Sequence, residues 1–216
     1  MKIKQKINSP NLWLRDFPWK KKKDHKYSRG KLIVFGSQKS MTGSTILSAE
    51  AALRVGTGSV KIICSKKTLP IYSSRFPSVL KEEVNNLKSL KKLIIRENNS
   101  IFLIGPGAGV NKTTKKSAEL ILKYCKYAVL DADALTCFKK NPKKLYKLLD
   151  KNKVITPHIK EFHAIFPSID KNINDYKKIS KASKICKCNI VLKGAKTLIS
   201  SYNGNIVVNK HTSSEL

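Results

Sequence analysis

Hydrophobic positions first organise at Lys31. Lys31-Leu-Ile-Val-Phe35 is a short run rich in β-branched and aromatic residues that stops at Gly36-Ser37. Its length and composition predict a buried strand rather than a helix. Thr42-Gly43 then opens a segment in which Ile46, Ala49 and Leu53 share one helical face, so a helix is predicted from Thr42 to near Val55. Gly56 and Gly58 end it, and Ser59-Val-Lys-Ile-Ile-Cys64 supplies the next strand, completing a β-α-β unit.

The alternation continues, less legibly between residues 65 and 100. Ile101-Phe-Leu-Ile104, Ala128-Val-Leu130 and Val154-Ile155 read as strands, Ser117 to Tyr124 as a helix, and Asn172 to Ile185 as a lysine-rich surface helix. Three short apolar runs then crowd together: Ile190-Val-Leu192, Thr197-Leu-Ile199 and Asn205-Ile-Val-Val208. Turns at Gly194 and Asn203-Gly204 separate them, which predicts a β-meander at a sheet edge. Strands alternating with helices imply an α/β fold with a mainly parallel, doubly wound sheet covered on both faces. Residues 1–30 show no sustained period. They are polar and basic, with Trp13, Phe17 and Trp19 around Pro18, and read as an N-terminal arm that packs a few aromatics.

A chain of 216 residues with 41% hydrophobic residues buries enough apolar surface to offset its ordering entropy, and its length suits one domain. The net charge of +30 points first to nucleic acid, since Lys and Arg that neutralise phosphates dominate such affinity. Its distribution argues against that partner. Lysines occur in nearly every segment, and Arg appears only at Arg15, Arg29, Arg54, Arg75 and Arg96. No Arg- or aromatic-rich recognition motif is present. The densest basic run, Lys20 to Lys23 followed by Lys26, is the one candidate for a phosphate-attracting arm. Cys64, Cys125, Cys137, Cys186 and Cys188 form an odd set without a C-x-x-C pair or zinc spacing. They read as reduced structural thiols. With no signal-peptide core and no apolar stretch of membrane-spanning length, a cytoplasmic location is expected and a membrane role is not.

Four loops carry candidate chemistry. Gly105-Pro-Gly107-Ala-Gly109 follows a strand and suits close approach of a backbone to an anion; a tight strand-to-helix turn explains it equally well. Leu130-Asp131-Ala-Asp133-Ala-Leu135 sets two carboxylates at a strand end, able to orient a metal or a substrate hydroxyl, with at least one of them expected to cap the next helix instead. Thr156-Pro157-His158 with Glu161-Phe162 places an imidazole close to a helix start, either to meet a polar ligand or as a satisfied structural group. Lys193-Gly-Ala-Lys-Thr197 offers ammonium, hydroxyl and freed backbone amides to a nucleotide phosphate, or is simply a basic hairpin. G-x-S-x-G, Walker and H-E-x-x-H motifs are absent, which removes support for serine hydrolase, P-loop NTPase and zincin readings.

The order of these loops is more specific than any one of them. Gly36-Ser37 with Met41-Thr-Gly43, Ala49-Glu-Ala-Ala-Leu-Arg54-Val-Gly-Thr-Gly58, Ile104-Gly-Pro-Gly-Ala-Gly109, Leu130-Asp-Ala-Asp-Ala-Leu135, Thr156-Pro-His158 with Glu161-Phe162, and Val191-Leu-Lys-Gly-Ala195 together resemble the carbohydrate-kinase-like NAD(P)H-hydrate dehydratases. The resemblance runs from about residue 25 to the end. It divides the chain into a basic arm, residues 1–24, and a dehydratase-like domain, residues 25–216.

The resemblance implies a ribokinase-like three-layer fold and an ADP- or ATP-dependent, magnesium-requiring dehydration of the S form of hydrated NADH or NADPH (NADHX, NADPHX). The nucleotide phosphorylates the ring hydroxyl, and phosphate then leaves. By position, Ser44, Gly109 and His158 would contact the hydrate, and Lys193, Gly194, Ala195, Lys196 and Thr197 the adenine nucleotide. Ser44 stands where the family often has a small apolar residue. A homo-oligomer and an NAD(P)H-hydrate epimerase partner are also implied. The family's catalytic Asp, in a Gly-rich loop at a helix N-terminus, would lie beyond Leu216. The fold is therefore expected to be incomplete at its C-terminus and the chain alone to turn over slowly. The rival readings are a small-molecule kinase of the same fold and, from another class, a basic nucleic-acid-binding module.

Overall fold

The computed structural model describes residues 5–26 and 28–210. In chain order the strands are β1 (Gln5–Ile7), β2 (Lys31–Phe35), β3 (Ser59–Cys64), β4 (Leu80–Glu83), β5 (Ile101–Ile104), β6 (Tyr127–Leu130), β7 (Lys153–Ile155), β8 (Asn189–Leu192), β9 (Thr197–Ser200) and β10 (Ile206–Asn209). The helices are α1 (Thr42–Arg54), α2 (Leu69–Arg75), α3 (Leu87–Arg96), α4 (Lys112–Tyr124), α5 (Ala132–Thr136), α6 (Pro142–Tyr146), α7 (Ile159–Ile165) and α8 (Asp175–Cys186). They form two compact units. One is Pro18–Cys137; the other joins Met1–Phe17 to Phe138–Leu216.

In the first unit the strands are all parallel, in the order β6-β5-β2-β3-β4. The chain winds outward from β2 through β3 to β4 and then returns to β5 on the other side of β2. The connections leaving β2 and β5 therefore diverge, which opens a crevice at their carboxyl ends, the general position of ligand sites in such sheets. Val60 to Cys64 are all buried, as a central strand covered on both faces requires. One face sets Val34, Val60, Ile62 and Cys64 against Ala49 of α1 and Tyr72 of α2. By alternation, Ile33, Lys61, Ile63 and Phe102 point to the opposite face. There the Lys61 ammonium meets Glu82 at 2.7 Å and Glu97, just beyond α3, at 2.9 Å. Lys31 joins Glu97 at 2.7 Å, and Arg96 joins Glu82 at 2.6 Å.

Most elements coincide with the sequence pattern, and those that do not have local causes. β4 reads Leu-Lys-Glu-Glu; as an edge strand it carries charge instead of an apolar run. α3 is set by a reciprocal cap, in which the Asn86 side chain accepts the Ser89 amide and the Ser89 hydroxyl accepts the Asn86 amide. α4 starts at Lys112 rather than Ser117 because the Asn111 side chain accepts the Thr114 amide at 2.9 Å.

In the second unit β7 and β8 are parallel, and β8, β9 and β10 form the antiparallel meander with its turn at Asn203-Gly204. α8 packs on β8 and β9. Tyr146 stacks on Phe166, which also meets Phe162. Part of the arm joins this unit, where β1 pairs parallel with β10. All three residues of β1 are exposed, so backbone bonds hold it without any hydrophobic period to announce it. Residues 211–216, the end of the dehydratase-like domain expected from the sequence, lie outside the described residues.

Candidate functional site

In the Pro18–Cys137 unit the loops after β2, β5 and β6 meet at the carboxyl edge. The Gln38 amide donates to the Gly107 carbonyl at 2.8 Å, and the Ser44 hydroxyl lies within hydrogen-bond distance of the Met41 and Pro106 carbonyls, at 2.7 and 3.1 Å. Gly107 has φ +64°, and a Cβ built on it would lie 2.6 Å from Ser44 Oγ and 2.7 Å from Met41 Cβ. Only glycine lets the two loops approach so closely. Gly105, at φ +134°, is equally constrained, because its Cβ would sit 1.7 Å from the Asp131 carbonyl oxygen. Ser37 is buried and its hydroxyl engages Met41, Thr45 and Tyr72, so it holds the loop rather than facing a ligand.

The paired carboxylates act differently from the sequence expectation that one of them caps a helix. Asp131 occupies the N-cap position of α5, yet its side chain makes no capping bond there. Asp133 Oδ2 accepts the Gly109 amide at 2.8 Å, tying the loop after β5 to the start of α5. With one oxygen so engaged, Asp133 is an anchor for the glycine loop. Among the described residues no group of three or more His, Cys, Asp or Glu is arranged to hold a metal ion. Burial pushes the Cys64 thiol up to about 11, so this cysteine beside the loop is no nucleophile at neutral pH.

In the other unit His158 is the N-cap of α7. Its Nδ1 accepts the Lys160 and Glu161 amides at 3.1 and 3.3 Å, while the Glu161 carboxylate accepts the His158 amide at 2.9 Å. Because Nδ1 is the acceptor, neutral His158 carries its proton on Nε2. That nitrogen lies 3.4 Å from Glu161 Oε1, and the imidazole is 49% exposed. The residue is thus a cap with a half-exposed ring: Nδ1 caps the helix, and Nε2 lies beside the Glu161 carboxylate.

Lys193 pairs with His158 in a parallel bridge, its amide donating to the Pro157 carbonyl at 2.9 Å. Lys193 to Lys196 are exposed and line a groove of about 640 Å³ together with Ile159, Asn174, Asp175, Tyr176, Leu192 and Leu198. Gly194 has no positive φ, and a Cβ there would meet only one atom, at 3.7 Å, so its backbone conformation does not depend on glycine. Thr197 sits at the start of β9 with its hydroxyl 3.5 Å from the Gly194 carbonyl. Sequence reasoning missed the far wall of this groove. Asn174, Asp175 and Tyr176 belong to the start of a helix that reads as a plain lysine-rich surface element, and only folding brings them to the loop after β8.

The sequence profile of the family described as NAD(P)H-hydrate dehydratase, of the carbohydrate-kinase type, matches residues 31–216. The chain belongs to the NAD(P)H-hydrate dehydratase family. The bifunctional NAD(P)H-hydrate repair enzyme of Dictyoglomus turgidum is 29% identical over 198 residues, covering 86% of this chain and 38% of the relative. The ADP-dependent (S)-NAD(P)H-hydrate dehydratase of Staphylococcus aureus is 29% identical over 163 residues, covering 74% and 55%. This dehydratase-family chain therefore spans between about two fifths and just over half the length of these curated relatives. A solved ribokinase-like superfamily protein from Enterococcus faecalis superposes with a TM-score of 0.81 at 20% identity, over 97% of this chain and 72% of the other. The fold is ribokinase-like.

Proposed function

We propose that the protein dehydrates the S form of NAD(P)H hydrate to NADH or NADPH, with ADP or ATP as phosphoryl donor and magnesium on the nucleotide phosphates. Hydroxide is a poor leaving group. Phosphorylation of the ring hydroxyl, with loss of its proton, converts it to a phosphate ester, and departure of phosphate together with a proton from the adjacent ring carbon restores the dihydronicotinamide. The family match across residues 31–216 carries this reading, and the S. aureus relative's ADP dependence supports the choice of donor.

Within it, Ser44, Gly109 and His158 are the residues assigned to the hydrate, and Lys193, Gly194, Ala195, Lys196 and Thr197 those assigned to the nucleotide. The groove beside Lys193 and Lys196 supports the second assignment, since its lip carries two ammoniums and its volume admits a nucleotide. The half-exposed imidazole of His158 supports the first. The bifunctional D. turgidum relative supports an NAD(P)H-hydrate epimerase as functional partner. For a cytoplasmic location the support is five free cysteines and, among the described residues, no helix long and apolar enough to cross a membrane.

The test is calorimetric titration of the purified chain with S-form hydrate and with ADP. Lys193→Glu is expected to weaken ADP binding about tenfold or more, the scale of a lost charged hydrogen bond, and to leave hydrate binding unchanged. A chain that binds ADP but no hydrate would point instead to a small-molecule kinase.

A further inference from the structure

The groove beside Lys193 is larger and less uniformly basic than a phosphate chain requires. Leu192 and Leu198, each 4% exposed, contribute apolar side chains to it, and Ile159 leaves 40% of its surface uncovered. Tyr176 lines it as well, half-buried. Apolar side chains next to two ammoniums suit a ligand with a flat ring at one end and phosphates at the other. Asp175 is the one acidic residue in the lining. It would repel phosphate, so its presence in a nucleotide groove calls for a hydrogen-bond donor on the ligand.

We propose that Asp175 selects the purine base, its carboxylate accepting a hydrogen bond from the 6-amino group of adenine while Tyr176 and Ile159 cover the ring. This rests on the reading of Lys193 to Thr197 as nucleotide-binding. An ionised carboxylate is acceptor-only, so it favours a base that presents an amino group and disfavours one that presents a carbonyl oxygen at the same position. The Asp175 side chain is 53% exposed, and its Oδ1 accepts from Lys178 at 2.8 Å. That bond orients the carboxylate and leaves Oδ2 as the acceptor for the base. Neighbouring Asn174 discriminates less, since its side-chain oxygen already accepts the Lys177 amide at 2.9 Å as the cap of α8.

Inosine diphosphate is the matched probe, because at the base it carries a carbonyl oxygen in place of the 6-amino group, with a proton on the adjacent N1. Titration of the full chain is expected to show ADP preferred over inosine diphosphate by about 10- to 100-fold, the range of a charge-assisted hydrogen bond. Asp175→Asn, whose amide both donates and accepts, should bring the two affinities to within about threefold. Asp175→Ala should weaken ADP and spare inosine diphosphate, whereas Tyr176→Ala should weaken both alike. Each preference is a ratio within one protein sample, so a reduced folded fraction scales both titrations together. Equal affinities in the unmodified chain, or a preference unchanged in both Asp175 variants, overturns the assignment of Asp175. If the unmodified chain bound neither nucleotide, the nucleotide reading of the Lys193 loop would fall and the base subsite with it.

Discussion

His158 and Lys193 are direct backbone neighbours, paired as a parallel bridge in which the Lys193 amide bonds to the Pro157 carbonyl at 2.9 Å. The two residues come from loops after β7 and β8, and the proposed function assigns one to the hydrate and the other to the nucleotide. On that proposed assignment, a single hydrogen-bonded ladder would set the spacing of a group-transfer donor and acceptor. Pre-set spacing of that kind lowers the entropic part of a two-substrate barrier.

The double use of His158 separates by substitution. His158→Ala removes the cap and should cost about 1 kcal/mol of stability. His158→Asn restores a capping oxygen without the Nε2 proton, so its melting temperature should stay near that of the unmodified chain. Both variants should weaken hydrate binding about tenfold. Calorimetry beside thermal melts checks this, and normal hydrate binding by His158→Asn would remove the imidazole from the site.

Gly107→Ala places a methyl against Ser44 Oγ and Met41 Cβ at a positive φ. The change should destabilise the chain by about 2 kcal/mol or more and separate the loops after β2 and β5. Denaturant unfolding measures the first effect. Faster exchange of the Gln38 amide, which now bonds to the Gly107 carbonyl, reports the second.

Asp133→Ala should free the Gly109 amide and lose about 1.5–3 kcal/mol, the worth of a hydrogen bond to a charged group. Hydrogen exchange at Gly109 is the direct readout. Protection that survives the substitution would mean the loop is held by its own turn, not by Asp133.

Acid should act first on the ion cluster around Lys61. Burial works to raise the Glu97 carboxyl, but hydrogen bonds from Lys31 and Lys61 outweigh it and hold the group down at about 2, against an ordinary value of 4.5. Glu82 is lowered too, with burial opposed by Lys61 and Arg96. A carboxyl depressed in the folded state contributes stability that is complete above its unfolded value and is lost as pH falls. Stability should therefore drop between about pH 4.5 and pH 2, and Glu97→Gln should flatten that drop while lowering stability at pH 7 by about 1–3 kcal/mol. Melting temperatures across this range test the sign; a Glu97→Gln profile parallel to the parent's would contradict it.

Local chemistry was legible wherever one residue or one period suffices. The alternation of buried runs with amphipathic segments predicted β2, α1, β3, β5 and the meander, because burial on a sheet face imposes its period on the sequence. The glycines of residues 105–109 and the Thr-Pro-His triplet stood out because backbone conformation and capping restrict residue type within a few positions. β1 and β4 did not stand out, since an exposed or edge strand is held by backbone bonds that place no demand on side chains.

What the sequence determined by itself is the α/β alternation, the family and the set of loops that carry polar groups. Only the tertiary structure decided what those groups do. Asp133 anchors the Gly109 amide instead of capping a helix, Gly107 makes room for Ser44, and Asp175 and Tyr176 join a groove with Lys193 across seventeen or more positions of chain. These relationships depend on which strand ends lie side by side, and strand order is set by long-range pairing that no local pattern of residues encodes.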